Sequence, residues 1–139
     1  MFDHIVLGID GSAHAAKAAD VTAELAKTVG SEVLVVHVLE RIAASKGAPA
    51  TDVETAHDAS SLVEEVAARL TTAGISAKGK VVLAPSGRIV PEILGVAEDA
   101  EADLIIVGSR GLSDFSGLLV GSVSHKLIQH APCPVLVVR

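Results

Sequence analysis

Two hydrophobic patterns alternate along the chain. The first is the short, near-continuous apolar run of a strand buried on both faces, as in Val33-Leu34-Val35-Val36-His37-Val38-Leu39 and Leu104-Ile105-Ile106-Val107. The second has helical spacing, clearest at Ala59, Leu62, Val63, Val66, Ala67 and Leu70, where steps of three and four collect the apolar side chains on one face. In chain order these patterns predict a strand over His4 to Asp10 and an alanine-rich helix over Ala13 to Val29, with Ser12 as its cap and Gly30 as its stop. A strand over Glu32 to Glu40 follows, then a polar loop from Arg41 to about Thr51 and a second helix ending near Gly74. Lys80 to Ala84 reads as a third strand, and Pro85-Ser86-Gly87 opens a helix that runs to about Ala100. Pro91 falls in its first turn, where a missing N–H costs least. A fourth strand over Asp103 to Val107, a helix over roughly Gly117 to His130, a break at Pro132-Cys133-Pro134 and a last strand over Val135 to Val138 complete the series.

Strictly alternating strands and helices imply an α/β fold: a single doubly wound domain whose five-stranded parallel sheet has helices on both faces, because crossovers between parallel strands are right-handed. Strand order 3-2-1-4-5 is the most economical arrangement. It places the chain reversal between the first and fourth strands, and ligands of such sheets bind outside the carboxyl ends at that point. Those ends carry Asp10 and Gly108.

The chemistry concentrates after the fourth strand. Gly108-Ser109-Arg110-Gly111 is followed by nine residues and then Gly121-Ser122-Val123, where the last helix begins. Strand, glycine-bearing loop and helix start form an anion site, since glycines let backbone N–H groups approach phosphate oxygens and the helix contributes its positive end. The N–H groups of Gly108, Gly111, Gly121, Ser122 and Val123, the Ser122 hydroxyl and the Arg110 guanidinium are the expected cradle. The bland alternatives are turn geometry for the glycines, a solvated loop charge for Arg110 and a helix cap for Asp10.

The spacing G-x2-G-x9-G-S resembles the fingerprint of the universal stress protein family in its ATP-binding branch. The opening Ile5-Val6-Leu7-Gly8-Ile9-Asp10-Gly11-Ser12 and the closing Ala131-Pro132-Cys133-Pro134-Val135-Leu136-Val137-Val138 resemble the two ends of that family, so the likeness frames the whole chain. The resemblance implies the same strand order, an adenine nucleotide (ATP or AMP) as ligand, Asp10 on the adenosine end, and the backbone N–H and C=O of Val38 on the adenine edge. It also implies a homodimer formed through the final strand, Val135 to Val138, whose apolar edge would otherwise invite association. One departure is Asp114, a negative charge near the expected phosphates.

Composition narrows the alternatives. Aromatic residues are 1% of the chain, with Phe2 and Phe115 the sole examples, so the base-stacking platforms of single-strand binders are missing. The net charge of −6 opposes nucleic-acid binding in general. The six histidines lack metal-ligand spacing, so no protein-held metal is expected; Mg²⁺ or Mn²⁺ held by the phosphates remains compatible with the sequence. Cys133 lies between two prolines and reads as a small hydrophobe. With no leader pattern and no apolar run approaching roughly 18 residues, no membrane association is expected and a cytoplasmic protein is. No G-x-S-x-G elbow and no G-x-x-x-x-G-K-[ST] loop is present, so no catalytic residue is assigned. The expected function is a nucleotide-binding sensor or regulatory module of the stress response with slow or absent hydrolysis; the competing readings are a nucleotide-free dimerisation scaffold and a slow ATPase.

Overall fold

The computed structural model describes residues 1–41, 55–109 and 121–139. Among these residues nine elements follow one another in strict alternation: β1 (His4–Gly8), α1 (Ala13–Val29), β2 (Glu32–Arg41), α2 (Ala56–Thr72), β3 (Ser76–Pro85), α3 (Ile89–Asp99), β4 (Leu104–Gly108), α4 (Ser122–His130) and β5 (Val135–Val138). The strands form one all-parallel sheet in the order β3-β2-β1-β4-β5, as the alternation implied.

Two apolar layers enclose the sheet. Ile5, Leu7, Val33, Val35 and Ile106 face α1 and α2, where Ala15, Ala18, Ala19 and Leu70 meet them. Val6, Val36, Val38, Ile105 and Val107 face α3 and α4, against Val90, Ile93, Val96 and Leu127. Successive residues of the central strands thus serve opposite cores, which is why those strands are apolar throughout. Without aromatic bulk, α1 gets close to the sheet through alanines; Ala18 and Ala19 are completely buried.

Local signals set the helix boundaries. Ser12 caps α1, its hydroxyl accepting from the Ala15 N–H at 3.2 Å, and Gly30 ends the helix in the left-handed conformation with φ 86°. Thr55 and Asp58 form a reciprocal capping box at the start of α2. Pro91 occupies the first turn of α3, but that helix begins at Ile89 and not at Pro85-Ser86-Gly87, which forms the preceding turn.

Two strands differ from the expected spans by more than one residue at an end. Pairing of β1 ends at Gly8, two residues before Asp10, because the chain turns toward α1 there. β3 begins at Ser76, four residues before Lys80: the polar segment Ser76-Ala77-Lys78-Gly79 pairs in register with Glu32 to Val35 of β2. Its backbone has a partner although its side chains carry no apolar signal, as suits an edge strand. The expected start of the last helix at Gly117 falls outside the described residues, as does most of the loop expected from Arg41 to Thr51.

At the amino end of the sheet the Asp103 carboxylate accepts the Asp3 N–H at 2.9 Å and the His4 N–H at 3.1 Å, tying the entry of β1 to that of β4. Burial pushes this carboxyl up, but the N–H groups of Asp3, His4 and Asp103 itself, with the N-terminal charge, outweigh it and hold its pKa below the ordinary carboxylate value. A depressed folded-state pKa stabilises the fold above the unfolded value and the gain is lost as pH falls through the folded pKa. Asp103→Ala should therefore lower stability at neutral pH by about 1 kcal/mol after allowance for solvent screening. The gap to the unsubstituted protein should close below about pH 4. Urea denaturation at a series of pH values measures both.

Candidate functional site

The carboxyl edge of the sheet is stepped. β1 pairs with β2 only as far as Gly8 with Val36, whereas β2 continues to Arg41 alongside β3. Beyond the step, the Ile9 N–H still donates to the Val36 carbonyl at 2.9 Å. Backbone groups of a strand point alternately to either side, so Val38, two residues past Val36, presents its N–H and C=O toward the space above the end of β1.

Asp10 lies just past the end of β1, two residues after Gly8. Its Oδ1 accepts the Ser12 N–H at 2.9 Å, closing a turn around Gly11, whose φ of 79° suits glycine. The helix cap is Ser12, so Asp10 does not serve as one, and its Oδ2 accepts no hydrogen bond from a described residue.

β4 delivers Gly108 to the other side of the crevice. A Cβ on Gly108 would lie 2.8 Å from the His14 carbonyl carbon, 2.9 Å from the His14 oxygen and 3.0 Å from the Ala15 nitrogen. The first turn of α1 is therefore packed directly on the end of β4. From the opposite core, α4 is fastened to the same spot: the buried Ser124 hydroxyl donates to the Gly108 carbonyl at 2.8 Å, and the Gly121 N–H donates to the Ser109 carbonyl at 2.7 Å. Ser109 is itself held by its N–H on the Val138 carbonyl of β5 at 2.7 Å.

Two helix N-termini thus converge on the end of one strand. The Gly121 N–H is committed to Ser109, so Gly121 contributes conformation, as the N-cap of α4, and no free donor. The N–H groups of Ser122 and Val123 belong to the first turn of α4, where no intrahelical acceptor exists, and the exposed Ser122 side chain stands beside them. Positive helix ends on both sides, with first-turn N–H groups that have no intrahelical acceptor, suit an anion. Arg110, Gly111 and Asp114 lie outside the described residues.

Asp10, Val38, Gly108, Gly121, Ser122 and Val123 therefore share one edge of the sheet, on four different segments. Sequence reasoning missed Ser109 and Ser124, which fasten α4 to β4. Ser124 had a signal, because it lies three residues before buried Leu127 on the same helical face. His37 is buried at 3% exposure, as expected of a satisfied histidine, with its Nδ1 2.8 Å from the Ile9 carbonyl.

The other chemistry is slight. Burial, with the Asp103 charge behind it, pushes the Cys133 thiol above its ordinary pKa, which suppresses the reactive thiolate. Among the described residues no cluster of His, Cys, Asp and Glu side chains could hold a metal ion, and no helix is long and apolar enough to cross a membrane. A cleft of about 270 Å³ opens at the amino edge beside His4, Glu32 and Lys78. It sits near the end of α3 at Ala100, where the helix dipole is negative, and lacks the N-terminal donors of the carboxyl edge.

A sequence model of the universal stress protein family matches residues 1–139. The chain belongs to this family. A universal stress protein of Thermus aquaticus is 38% identical over 140 residues, covering all of both chains, and universal stress protein YxiE of Bacillus subtilis is 31% identical over 151 residues, again covering both completely. Among solved structures, a universal stress protein in complex with cAMP superposes with a TM-score of 0.72 at 24% identity, covering 99% of this chain and 97% of that one. A universal stress protein of Archaeoglobus fulgidus in complex with dAMP gives 0.70 at 22% identity, covering 100% and 98%. These two structures share the fold with the present universal stress protein.

The contact at Gly108 gives a testable consequence. An added methyl group would meet helix backbone, which cannot rotate away, so Gly108→Ala should cost about 1–3 kcal/mol. Gly95, inside α3, has nothing within 4 Å of a built Cβ. Gly95→Ala should be neutral or stabilising by about 0.5–1 kcal/mol. Opposite shifts in the urea midpoint are the expected result.

Proposed function

We propose that this universal stress protein binds an adenine nucleotide across the carboxyl ends of β1, β2 and β4 and acts as a nucleotide-responsive module of the stress response. The observation that carries the reading is the convergence of the N-termini of α1 and α4 on Gly108. It provides anion donors beside a crevice whose far wall is the overhanging backbone at Val38. In this reading the phosphates lie on the N–H groups of Ser122 and Val123 and on the loop carrying Arg110 and Gly111, Asp10 takes the adenosine end, and the Val38 backbone reads the adenine edge. The cAMP and dAMP complexes formed by proteins of this fold support adenine as the base.

Both ATP and AMP fit the proposal. A divalent cation, Mg²⁺ or Mn²⁺, would be held by phosphate oxygens and water, since the described residues offer no side-chain cluster for it. Hydrolysis is slow or absent in this reading: the chain lacks the lysine-bearing phosphate loop of fast nucleotidases. The protein is placed in the cytoplasm, where its single cysteine needs no partner.

Denaturing the purified protein, identifying released small molecules by mass spectrometry and titrating ATP, ADP and AMP calorimetrically tests the proposal. Bound or tightly binding adenine nucleotide is expected, weakened about tenfold or more by Asp10→Ala. A well-folded protein with no released ligand and no binding heat would favour the scaffold reading instead.

The reading includes a homodimer formed through β5. The carbonyls of Pro134 and Val138 accept from Ile105 of β4 and from Ser109 just beyond it, so Val135 and Val137 present their backbone groups to the open edge. Leu136 is 37% exposed on the same strand. Val137→Pro would remove an outward donor without touching the pairing to β4. Analytical ultracentrifugation should show a dimer for the unsubstituted chain and a folded monomer for the variant; an unchanged dimer would move the interface elsewhere.

A further inference from the structure

The step between β1 and β2 coincides with a side-chain contact. After the bond from the Ile9 N–H to the Val36 carbonyl, the next rung of a parallel ladder would be the Val38 N–H donating to the Ile9 carbonyl. That rung is not formed. The Ile9 carbonyl instead faces the Nδ1 of His37 at 2.8 Å. A carbonyl oxygen only accepts, so Nδ1 carries the proton and donates. The side chain comes from the residue immediately before Val38 and is buried on the α1/α2 face, together with Ile9. The backbone of Val38 is left directed into the crevice, and Ile9 is fixed one residue before Asp10.

We propose that His37 is a positioning residue for nucleotide recognition: by occupying the Ile9 carbonyl it keeps the Val38 N–H and C=O out of the sheet ladder and available to the edge of a purine base, and it fixes the turn that carries Asp10. The inference rests on the adenine-nucleotide reading for its ligand but not for its geometry. The imidazole does not touch the ligand. It works by taking the acceptor that would let β1 and β2 zip one rung further, trading a sheet bond for a base-reading edge. A hydrophobic residue at 37 would fill the same buried volume yet leave the Ile9 carbonyl unpaired beside the Val38 N–H, and closing that rung is the direct way to satisfy both. Asparagine, whose Nδ2 sits near the position of the histidine Nδ1, would preserve the donor.

Two readouts on His37→Leu and His37→Asn test this. Calorimetric titration with ATP, GTP and inorganic tripolyphosphate separates base recognition from phosphate binding. In His37→Leu, ATP affinity should fall about tenfold, the worth of one or two hydrogen bonds, and the preference for ATP over GTP should shrink. Tripolyphosphate binding should be unchanged, and His37→Asn should recover most of the loss. Amide hydrogen exchange of the ligand-free proteins, followed residue by residue by NMR, should show Val38 exchanging at least about tenfold more slowly in His37→Leu than in the unsubstituted chain, as the rung closes. Unchanged ATP-over-GTP preference in a folded His37→Leu would overturn the proposal, as would equal losses of ATP and tripolyphosphate. If the unsubstituted protein binds no adenine nucleotide, that reading alone fails. The exchange of Val38 then decides the positioning role: slower exchange in His37→Leu upholds it, and an unchanged rate removes it.

Discussion

The pairing of β1 with β4 governs the molecule. The first three strands grow outward from β1 in one direction, with α1 and α2 on one face, and the chain then returns through α3 to the other side of β1. Because a right-handed crossover in the reversed direction must lie on the opposite face, α3 and α4 take the second core. The connections that leave β1 and β4 therefore part to opposite faces of the sheet, and a crevice opens between them. Asp10, the first turn of α1, the end of β4 and the start of α4 are neighbours for that reason alone.

How near they come is set by small residues. Gly108 lets β4 end against helix backbone, and Gly8 faces Val107, whose Cγ1 would be 3.0 Å from an added Cβ. Buried alanines let α1 lie low on the sheet. The same close approach that packs the core brings the positive end of α1 to the strand terminus. Packing and anion chemistry therefore make one demand on position 108, and a glycine there would be required even without a ligand. Glycines alone are weak grounds for assigning a function; the fastening of α4 by Ser124 and Gly121, and the step above β1, add what the glycines do not provide.

These differences mark how far reasoning from sequence reaches. Strand order and both faces were legible because the central strands are buried on both sides and read as unbroken apolar runs. The first half of β3 was not, since Ser76-Ala77-Lys78-Gly79 owes its strand conformation to pairing with β2 and carries no pattern of its own. Asp10, Gly108, Ser122 and Val123 were singled out as candidates from motif and position, which depend on spacing along the chain. The links from Ser124 to Gly108, from Gly121 to Ser109 and from His37 to Ile9 join residues 16, 12 and 28 positions apart, and only the fold brings them together. The commitment of the Gly121 N–H to Ser109 shows the limit most directly, because a motif says which residue is present and not which of its groups is already taken.

A net charge of −6 sits oddly with the anionic ligand proposed until the ranges of the two effects are compared. The charge acts at long range and is largely screened beyond about 8 Å at physiological ionic strength. Helix ends and backbone N–H groups act within a turn, each contributing roughly 0.3–1 kcal/mol by its dipole. An acidic protein can thus hold a phosphate through backbone donors while its overall field slows the approach of one. Such a cradle has little power to distinguish one phosphorylated compound from another, since any phosphate oxygen satisfies it equally. Discrimination has to come from the opposite wall of the crevice, where a base edge either matches a strand's donor and acceptor or leaves them unpaired. In the proposed reading, the step between β1 and β2, with His37 beside it, is therefore where the selectivity of the site is built.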